Sequence, residues 1–495
     1  MTHNPAGAGE GRLTSTLLTD LYQLTMAYGY WKTGTHQKEA VFHLHFRNNP
    51  FGSGFSLACG LGDAVNALSA FKFDESDLDY LATICGNDGK SLFEQGFLDY
   101  LRDLKFDCDV DAIPEGTFVF PQQPLIRVKG PLITAQIVET ALLNIVNFQT
   151  LIGTKAVRVC EAARGEPVLE FGLRRAQGTD GALAASRSAY IGGCHATSNV
   201  LAGKLFGIPV KGTHAHSWVM SFGSEKEAFA AYAGAMPNNS TLLVDTYDTI
   251  QGVRHAIEVG RDLREKGFEL AGIRLDSGDL ATLSIEARTM LDDAGFPDAA
   301  IVASNDLDEH IISSLKDQGA RIGVWGVGTK LVTAYDQPAM GGVFKLGAIR
   351  MPGEEWRYKV KVSETAVKIS TPGIQQVRRW KLNGEYIGDV LYNEEDGAPA
   401  EPMAIDPFDI TAQKRFPAGA EFEDLLIPIF RKGKLVYDVP PLSASRDRTK
   451  DQIAHFPSTV RRFLNPQRYF VGLEPKLHSL RTELVLKARA EAHVD

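Results

Sequence analysis

The run VLEFGLRR (168–175) is one of six short apolar stretches that each end in polar residues capable of chemistry. The other five are PVKGTHAHSW (209–218), LLVDTY (242–247), GIRLDSGD (272–279), IVASND (301–306) and IGVWGVGT (322–329). Each stretch is typical of a buried strand, and helix-like segments separate most of them. This layout predicts an α/β barrel, in which the active site gathers at the carboxyl ends of parallel strands. The arginines, histidines and aspartates at these ends suit an anionic, phosphate-rich substrate.

The segments between the later strands have the periodicity of amphipathic helices. They are TIQGVRHAIEVGRDLREKG (249–267), DLATLSIEARTMLDDAG (279–295) and DLDEHIISSLKDQG (306–319). Each ends in glycine, the residue that most readily adopts the left-handed conformation that follows a helix. Fewer than eight clear strand–helix units are visible in the sequence, so we expect the barrel to be irregular.

The regions on either side of the barrel candidate differ from it in pattern. Residues 132–160 indicate one long amphipathic helix. YKVKVSE (358–364), IQQVRRWKL (374–382) and the turn NGEY (383–386) indicate a β-hairpin that returns to the N-terminal domain. The predicted organisation is therefore an α/β protein with an irregular α/β barrel core, an N-terminal α/β domain and a C-terminal extension. Its boundaries are 1–12 for a disordered tail, 13–160 for the N-terminal α/β domain, 161–350 for the barrel with the active site, and 351–495 for the hairpin return and C-terminal extension.

The bulk composition of the 495 residues excludes several classes of protein. A net charge of −9 argues against a general nucleic-acid binder, which normally presents a basic face. No apolar run approaches the roughly 20 residues needed to cross a bilayer, so no membrane association is expected. The five cysteines are scattered and odd in number, which favours free thiols and a cytoplasmic location.

Eight motifs in the same order make this chain resemble nicotinate phosphoribosyltransferase, a family of type II phosphoribosyltransferases. They are LLTDLYQLTMA (17–27), RNNPFGSGF (47–55), EFGLRRAQGTDG (170–181), SNVLAGKLFGIPVKGTHAHSW (198–218), VDTYDT (244–249), IRLDSGDL (273–280), ASNDLDE (303–309) and GVGTKLVTAYDQPAMGGVFKL (326–346). The resemblance implies an irregular α/β barrel and a homodimer with a shared active site.

The resemblance also implies a reaction. Nicotinate and 5-phosphoribosyl 1-pyrophosphate would give nicotinate mononucleotide and pyrophosphate, the first step of NAD synthesis from nicotinate. ATP, as co-substrate, would be hydrolysed through a phosphohistidine, which places the enzyme in the ligase class, and Mg²⁺ would be required as cofactor. The chain has no GxxxxGK[ST] loop, so the resemblance implies that ATP uses the phosphoribosyl pyrophosphate site itself.

Two histidines lie in GTHAHSW (212–218). A His-x-His pair is by itself more often structural than catalytic, and a zinc site would need further ligands. The resemblance assigns the phosphorylated histidine to His216, directly before Ser217, because an imidazole nitrogen can act as a nucleophile towards phosphate. His214 receives no role.

Arg274 lies inside the apolar strand GIRL, where an unpaired charge would be costly. It could form a structural pair with Asp276 or Asp279. The resemblance instead gives Arg274 and Thr213 to the nicotinate pocket, where a guanidinium can bind a planar carboxylate. Tyr22 could be a core or interface aromatic residue, and the resemblance places it against the pyridine ring from the partner subunit.

The remaining site residues are expected to contact phosphates and ribose. The resemblance directs Arg174, with Phe171 close by, to phosphoribosyl pyrophosphate, where a cation stabilises the leaving group. Asp245, Asp276 and Asp279 could each be helix caps, or could bind ribose hydroxyls or Mg²⁺ through water on the pyrophosphate; among them Asp245 is favoured, with Asp279 as a second possible magnesium contact. Gly328 and Thr329 are assigned to the 5-phosphate, with help from Ser277 and Gly278. His216, Arg174 and Asp245 form the predicted catalytic set.

Other functions compete with this prediction. A nicotinamide phosphoribosyltransferase is the nearest alternative, although the GTHAHSW and FGLRRAQG motifs favour nicotinate. A phosphate-binding barrel that acts as a lyase or isomerase would need a Schiff-base lysine at a strand end, for which Lys211 is the nearby candidate. A quinolinate-specific enzyme or an inactive regulatory barrel fits the motifs less well.

Overall fold

The computed structural model describes residues 15–399 and 402–491, and it divides the chain into two compact units. One unit runs from Ile152 to Pro338, and the described residues before and after it form the other. The sequence instead predicted a first domain that ends at 160 and a barrel that ends at 350. The predicted tail, 1–12, lies outside the described residues.

The helices and strands of the described chain are as follows. The strands are β1 (Glu39–Phe46), β2 (Ser56–Leu57), β3 (Asp109–Ala112), β4 (Phe118–Val119), β5 (Ile126–Pro131), β6 (Val168–Glu170), β7 (Ala196–Thr197), β8 (Thr241–Leu243), β9 (Gly272–Leu275), β10 (Ala300–Ala303), β11 (Val324–Val327), β12 (Gly342–Arg350), β13 (Arg357–Tyr358), β14 (Gln375–Leu382), β15 (Glu385–Asn393), β16 (Met403–Ile405), β17 (Gln413–Arg415), β18 (Glu421–Asp424), β19 (Ile427–Arg431), β20 (Lys434–Leu435) and β21 (Val471–Leu473). The helices are α1 (Leu21–Lys32), α2 (Leu61–Ser69), α3 (Glu75–Thr83), α4 (Gln95–Asp103), α5 (Leu132–Ile137), α6 (Glu139–Ala162), α7 (Thr179–Ile191), α8 (Val200–Phe206), α9 (His216–Met220), α10 (Glu225–Ala235), α11 (Thr249–Glu265), α12 (Leu280–Asp293), α13 (Glu309–Asp317), α14 (Thr329–Val332), α15 (Leu442–His455) and α16 (Pro475–Glu491).

The unit Ile152–Pro338 is built on a parallel sheet with the order β7-β6-β11-β10-β9-β8. Its strands are short and apolar, and Leu242, Ile273 and Ile301 on three of them are buried in the core. Because all the strands are parallel, their carboxyl ends lie at one edge of the sheet. The α/β class and the parallel sheet are confirmed. In the described residues the outermost strands of this sheet are β7 and β8, and beyond β7 there is an isolated bridge to Val210, so the pairing does not show a closed barrel.

One predicted strand is wrong. In PVKGTHAHSW (209–218) the structure has a single isolated parallel bridge, between Val210 and Thr197 of β7, so the run lies beside β7 at the edge of the sheet without forming a strand. Pro209 has no N–H to donate to a ladder, and Lys211 is exposed, so the run lacks the buried apolar character of its neighbours. From His216 onwards the chain is helical.

The three predicted helices between the later strands are confirmed as α11, α12 and α13. The glycines that follow them, Gly267, Gly295 and Gly319, have φ values of 81°, 82° and 81°. Such left-handed backbone is strained for residues with a side chain, which is why glycine ends each helix.

The other unit contains two larger sheets, ordered β13-β12-β1-β5-β3-β19-β20 and β17-β16-β21-β15-β14-β18. Because β12 pairs antiparallel with β1, residues 342–350 belong to this unit and not to the parallel sheet. The hairpin turn at Asn383 and Gly384 is confirmed, with φ values of 49° and 85°, but the partner of β14 is β15 and not 358–364. Part of the N-terminal segment and part of the C-terminal segment thus share one sheet.

Two further features of this unit concern helices. The predicted single helix over 132–160 is divided at Val138 into α5 and α6. Helix α1 buries Leu24 and Ala27 in a core shared with α3, α4 and α5, and it leaves Tyr22 on its exposed side. No helix in the described ranges combines the length and the apolar composition needed to span a membrane.

Candidate active site

Arg274 is the centre of a hydrogen-bonded group at the carboxyl edge of the parallel sheet. Its Nε donates to Ser304 Oγ at 2.8 Å, Nη1 to Thr213 Oγ1 at 3.0 Å, and Nη2 to Asp276 Oδ1 at 2.9 Å. The side chain is 15% exposed. A guanidinium has five N–H donors, so one on Nη1 and one on Nη2 remain available. The structural pair with Asp276 is therefore confirmed, and it leaves donors for a carboxylate.

Asp276 lies between Arg274 and His216. One of its oxygens, Oδ1, also accepts a short hydrogen bond from Ser304, and the other, Oδ2, lies 3.8 Å from His216 Nε2. His216 Nδ1 lies 3.2 Å from Thr246 Oγ1. Because 3.8 Å is beyond hydrogen-bond distance, Nε2 remains open to a ligand. The histidine side chain is 40% exposed, so a phosphate can reach it.

His214 has a different environment from His216. Its Nε2 accepts the backbone N–H of Leu243 at 3.2 Å, and its ring packs edge-on against Tyr232. Burial lowers the pKa of His214, and the nearby Arg274 charge acts in the same direction. A buried imidazole that accepts a backbone N–H is neutral and holds the loop in place.

Asp245 follows β8 and binds the loop that follows β9. Its Oδ2 accepts the backbone N–H of Asp276 at 2.9 Å and the Ser277 hydroxyl at 2.6 Å. Its Oδ1 is buried and has no hydrogen-bond partner among the described residues. A buried carboxylate oxygen without a partner is costly, and a ligand hydroxyl or a metal-bound water would satisfy it.

Asp279 is the N-cap of α12. Its Oδ1 accepts the backbone N–H groups of Ala281 and Thr282, and its Oδ2 accepts the Thr282 hydroxyl at 2.7 Å. These bonds, that from the Thr282 hydroxyl above all, lower the pKa of the Asp279 carboxyl. The helix-cap interpretation is confirmed here, and both oxygens are already used. The preceding Gly278 has a φ of 78°, which turns the chain between Ser277 and the helix.

Close packing joins the loops after β6 and β11. Phe171 donates its N–H to the Val327 carbonyl at 2.8 Å. A Cβ on Gly326 would lie 2.7 Å from the Phe171 ring, so only glycine fits there. The ring itself lies 5.8 Å from the Arg274 guanidinium. The structure thus brings Phe171 and Arg274 close together.

Of the predicted phosphate-contacting residues, Arg174, Gly328 and Thr329 lie on the same two loops, whereas Ser277 and Gly278 lie on the loop after β9. Arg174 is in the 3₁₀ turn Leu173–Arg175, is exposed, and has no ion pair among the described residues. Gly328 is the N-cap of α14, and Thr329 is the first residue of that helix. An exposed cation without a partner is free to bind an anion.

Sequence reasoning missed three residues after β10. Ser304 is buried against Arg274 and Asp276, and the next two residues, Asn305 and Asp306, have φ values of 95° and 41°. Left-handed backbone in two consecutive non-glycine residues is strained and is found most often at functional sites. The feature of the sequence that could have indicated these residues is the polar end of the run IVASND (301–306), to which the sequence analysis gave no residue role.

Tyr22 lies in the other compact unit, on α1. Its hydroxyl donates to Glu139 Oε1 at 3.1 Å, and the residue is 47% exposed. Burial of its hydroxyl and the nearby Glu139 carboxylate raise the pKa of Tyr22. Its contact with a pyridine ring remains a prediction.

The fold and the site define an α/β protein with a candidate anion-binding site at the carboxyl ends of a parallel sheet. Three family models match in order: the nicotinate phosphoribosyltransferase N-terminal domain over 17–147, the nicotinate phosphoribosyltransferase family over 167–370, and its C-terminal domain over 375–481. The chain belongs to the nicotinate phosphoribosyltransferase family.

Full-length relatives agree with this assignment. The chain is 44% identical to a nicotinate phosphoribosyltransferase of Bacillus subtilis over 97% of each chain, and 38% identical to one of Caenorhabditis elegans over 95% of this chain and 93% of the relative. The crystal structure of human nicotinic acid phosphoribosyltransferase matches with a TM-score of 0.82 at 33% identity, over 94% of this chain and 99% of that one.

Proposed function

We propose that this protein transfers the 5-phosphoribosyl group from phosphoribosyl pyrophosphate to nicotinate, giving nicotinate mononucleotide and pyrophosphate. The proposal rests on the hydrogen bonds of Arg274. Its guanidinium donates to Ser304, Thr213 and Asp276, and two of its five N–H donors remain available. A planar carboxylate can accept both donors, and the Phe171 ring 5.8 Å away offers a face for a pyridine. Family membership supports the same substrate.

The same pocket favours the acid over the amide. A carboxylate accepts from both remaining N–H groups of Arg274, whereas the NH₂ of nicotinamide would face a donor. Lys211, the candidate for a lyase, is exposed and not desolvated, which does not suit a Schiff-base nucleophile.

We further propose that ATP hydrolysis is coupled to transfer through phosphorylation of His216 Nε2. The His216 side chain is partly exposed, and its Nε2 lies beyond hydrogen-bond distance of Asp276, while Thr246 holds the other ring nitrogen. An oriented imidazole with one open nitrogen is suited to attack a phosphate. This coupling is the ligase-type chemistry expected from the resemblance.

The phosphate groups of the substrate would bind to the loops after β6, β9 and β11. Arg174 would neutralise charge on the departing pyrophosphate, because electrostatic stabilisation acts where charge develops. Gly328 and Thr329, with Ser277 and Gly278, would donate to the 5-phosphate.

The residues at Asp245 fit a magnesium requirement. Its unpartnered, buried Oδ1 can accept a hydrogen bond from a metal-bound water, whereas both oxygens of Asp279 are occupied by its own helix. Mg²⁺ bound to the pyrophosphate would supply charge neutralisation. Within the described residues, no group of three or more His, Cys, Asp or Glu side chains has the arrangement of a metal site.

We propose that two copies of the chain form the working enzyme, with Tyr22 of one copy contacting nicotinate in the other. Tyr22 is exposed, and α8 presents exposed Val200, Leu201 and Leu205 to solvent. Exposed aliphatic side chains on one helix are typical of an interface. A cytoplasmic location accords with five cysteines that form no disulfide among the described residues.

The activity is tested with purified protein, Mg²⁺ and phosphoribosyl pyrophosphate, with and without ATP, and with nicotinamide as a parallel substrate. Formation of nicotinate mononucleotide, stimulated by ATP, is the expected result. Product from nicotinamide alone would contradict the role of Arg274, and no product from either would contradict the proposed function.

The shared site is tested by mixing two inactive variants, Tyr22→Ala and Arg274→Ala. A hybrid dimer carries both defects in one site and none in the other, so activity should return on mixing. The mass of the mixed sample shows whether the variants have exchanged subunits. If they have exchanged and activity does not return, the shared site is contradicted.

A further inference from the structure

A cavity of about 370 Å³ lies within the unit formed by the two ends of the chain. None of its lining residues belongs to Ile152–Pro338, the unit that holds Arg274 and His216. The volume is within the range of roughly 300–1,000 Å³ found for small-molecule sites. Its lining includes Gln122, Thr371, Phe408, Tyr469 and Arg481.

Arg481 is a buried cation in the wall of this cavity. It is 7% exposed, and its guanidinium donates to the carbonyls of Pro407 at 3.0 Å and of Ser370 and Ile369 at 3.4 Å. No carboxylate of the described chain lies within salt-bridge distance of it. One donor on each terminal nitrogen is left over, because three of the five are used.

The other buried arginines of this unit are neutralised. Arg378 is paired with Asp424 through two bonds of 2.9 Å, and Arg379 is paired with Asp389 at 2.7 Å. Burial lowers the pKa of Arg481, whereas carboxylates raise the pKa of Arg378 and Arg379 against the effect of burial. A buried charge without a counter-charge is costly unless a ligand supplies one.

Aromatic rings form the rest of the recognition surface. Phe408 is 42% exposed, and its ring lies 5.8 Å from the Arg481 guanidinium. On another wall, Tyr469 is stacked on Phe120 with ring centroids 4.2 Å apart. An exposed ring beside an unneutralised cation fits a ligand that has both a flat face and a negative charge.

We propose that this cavity binds a small organic anion, a single planar ring that carries a carboxylate or a phosphate. The anionic group accepts the two remaining donors of Arg481, and the ring packs against Phe408. The proposal depends on the geometry of this unit and not on the proposed enzymatic function, so each can fail without the other.

The test is direct binding by calorimetry to the full-length chain, in an Arg274→Ala background that removes the proposed nicotinate carboxylate site. The probes are phenyl phosphate, benzoate, inorganic phosphate and benzyl alcohol. We expect phenyl phosphate or benzoate to bind at least about tenfold more tightly than inorganic phosphate or benzyl alcohol, because only the first two combine ring and charge. Whichever of phenyl phosphate and benzoate binds more tightly shows whether the anionic group of the ligand is a phosphate or a carboxylate. Absence of binding by both would overturn the proposal.

Variants locate the bound probe. Phe408→Ala and Arg481→Gln should each weaken binding by about tenfold or more. Phe422→Ala and Arg378→Gln are the matched controls, since neither residue lines the cavity. Phe408 is half exposed, so Phe408→Ala is expected to fold even if Arg481→Gln does not. An unchanged melting temperature of Phe408→Ala would verify that it is folded. Binding that Phe408→Ala leaves unchanged places the probe elsewhere and overturns the proposal.

Discussion

Replacing Arg274 by alanine is the most direct test of the site. The guanidinium has two donors left after its bonds to Ser304, Thr213 and Asp276. Each hydrogen bond from a charged donor contributes about 1.5–3 kcal/mol. Loss of two such bonds to the nicotinate carboxylate therefore raises the barrier by about 3–6 kcal/mol, which lowers kcat/KM by roughly 10²–10⁴-fold.

The assay is nicotinate mononucleotide formation at saturating phosphoribosyl pyrophosphate, with kcat/KM determined for nicotinate. Arg288→Ala is the matched control, because Arg288 is also mostly buried and salt-bridged, to Asp292, but belongs to α12 and not to the site. Melting curves separate loss of binding from loss of folding. A decrease of less than about threefold in kcat/KM for a folded Arg274→Ala protein would be under 1 kcal/mol and would refute the reasoning.

Four further predictions address the neighbouring residues and the fold. His216→Ala should abolish stimulation by ATP and leave slow transfer, measured as product formed with and without ATP. Ser304→Ala removes the acceptor for Arg274 Nε and should raise the KM for nicotinate about tenfold, with a smaller change in kcat. Asp279→Ala should lower the free energy of unfolding in chemical denaturation, because α12 loses its N-cap, without loss of ATP stimulation. Burial, with Lys345 and Arg47 nearby, lowers the pKa of His45 from 6.5 to about 4, so stability to urea should fall as the pH falls from 6.5 towards 4.

The sign of the pH effect follows from proton uptake. In that range unfolded His45 binds a proton while the folded residue stays neutral, so acid favours the unfolded chain by up to about 3 kcal/mol. His45→Gln should flatten this part of the profile, and an unchanged slope would exclude His45 as its source. The other three predictions would be contradicted by full stimulation by ATP in His216→Ala, by an unchanged KM for nicotinate in Ser304→Ala, or by loss of ATP stimulation in Asp279→Ala.

Much of the parallel-sheet unit was predictable because its signals are local. Apolar runs of four to eight residues and helices ended by Gly267, Gly295 and Gly319 follow from side-chain periodicity and backbone preference. The segment PVKGTHAHSW was predicted to be a strand because it lies where the alternation of strands and helices along the chain calls for one. Its residues have the polar character of a loop. The sheet also contains the strand Ala196–Thr197, which at two residues is too short to be recognised from the sequence, and Val210 reaches that strand through a single bridge.

The candidate site shows the same division. Arg274 stood out because a charge inside an apolar strand requires a partner, and Asp276 two residues on was one of the two candidates. Ser304 could not be assigned from its neighbours, because its role depends on β10 lying beside β9 in the sheet. The distinction between His214 and His216 likewise required the structure, which buries the first against Tyr232 and exposes the second.

By itself, then, the sequence determined most elements of the parallel-sheet unit, the order of the motifs and the residue types that meet at the strand ends. These depend on interactions within a few residues, or on a family resemblance carried by motifs. Only the tertiary structure decided which donors of Arg274 remain free, that one oxygen of Asp245 lacks a partner, and that the chain ends enclose a cavity with the unneutralised Arg481. Those properties depend on atoms contributed by segments far apart in the chain, whose distances local pattern does not encode.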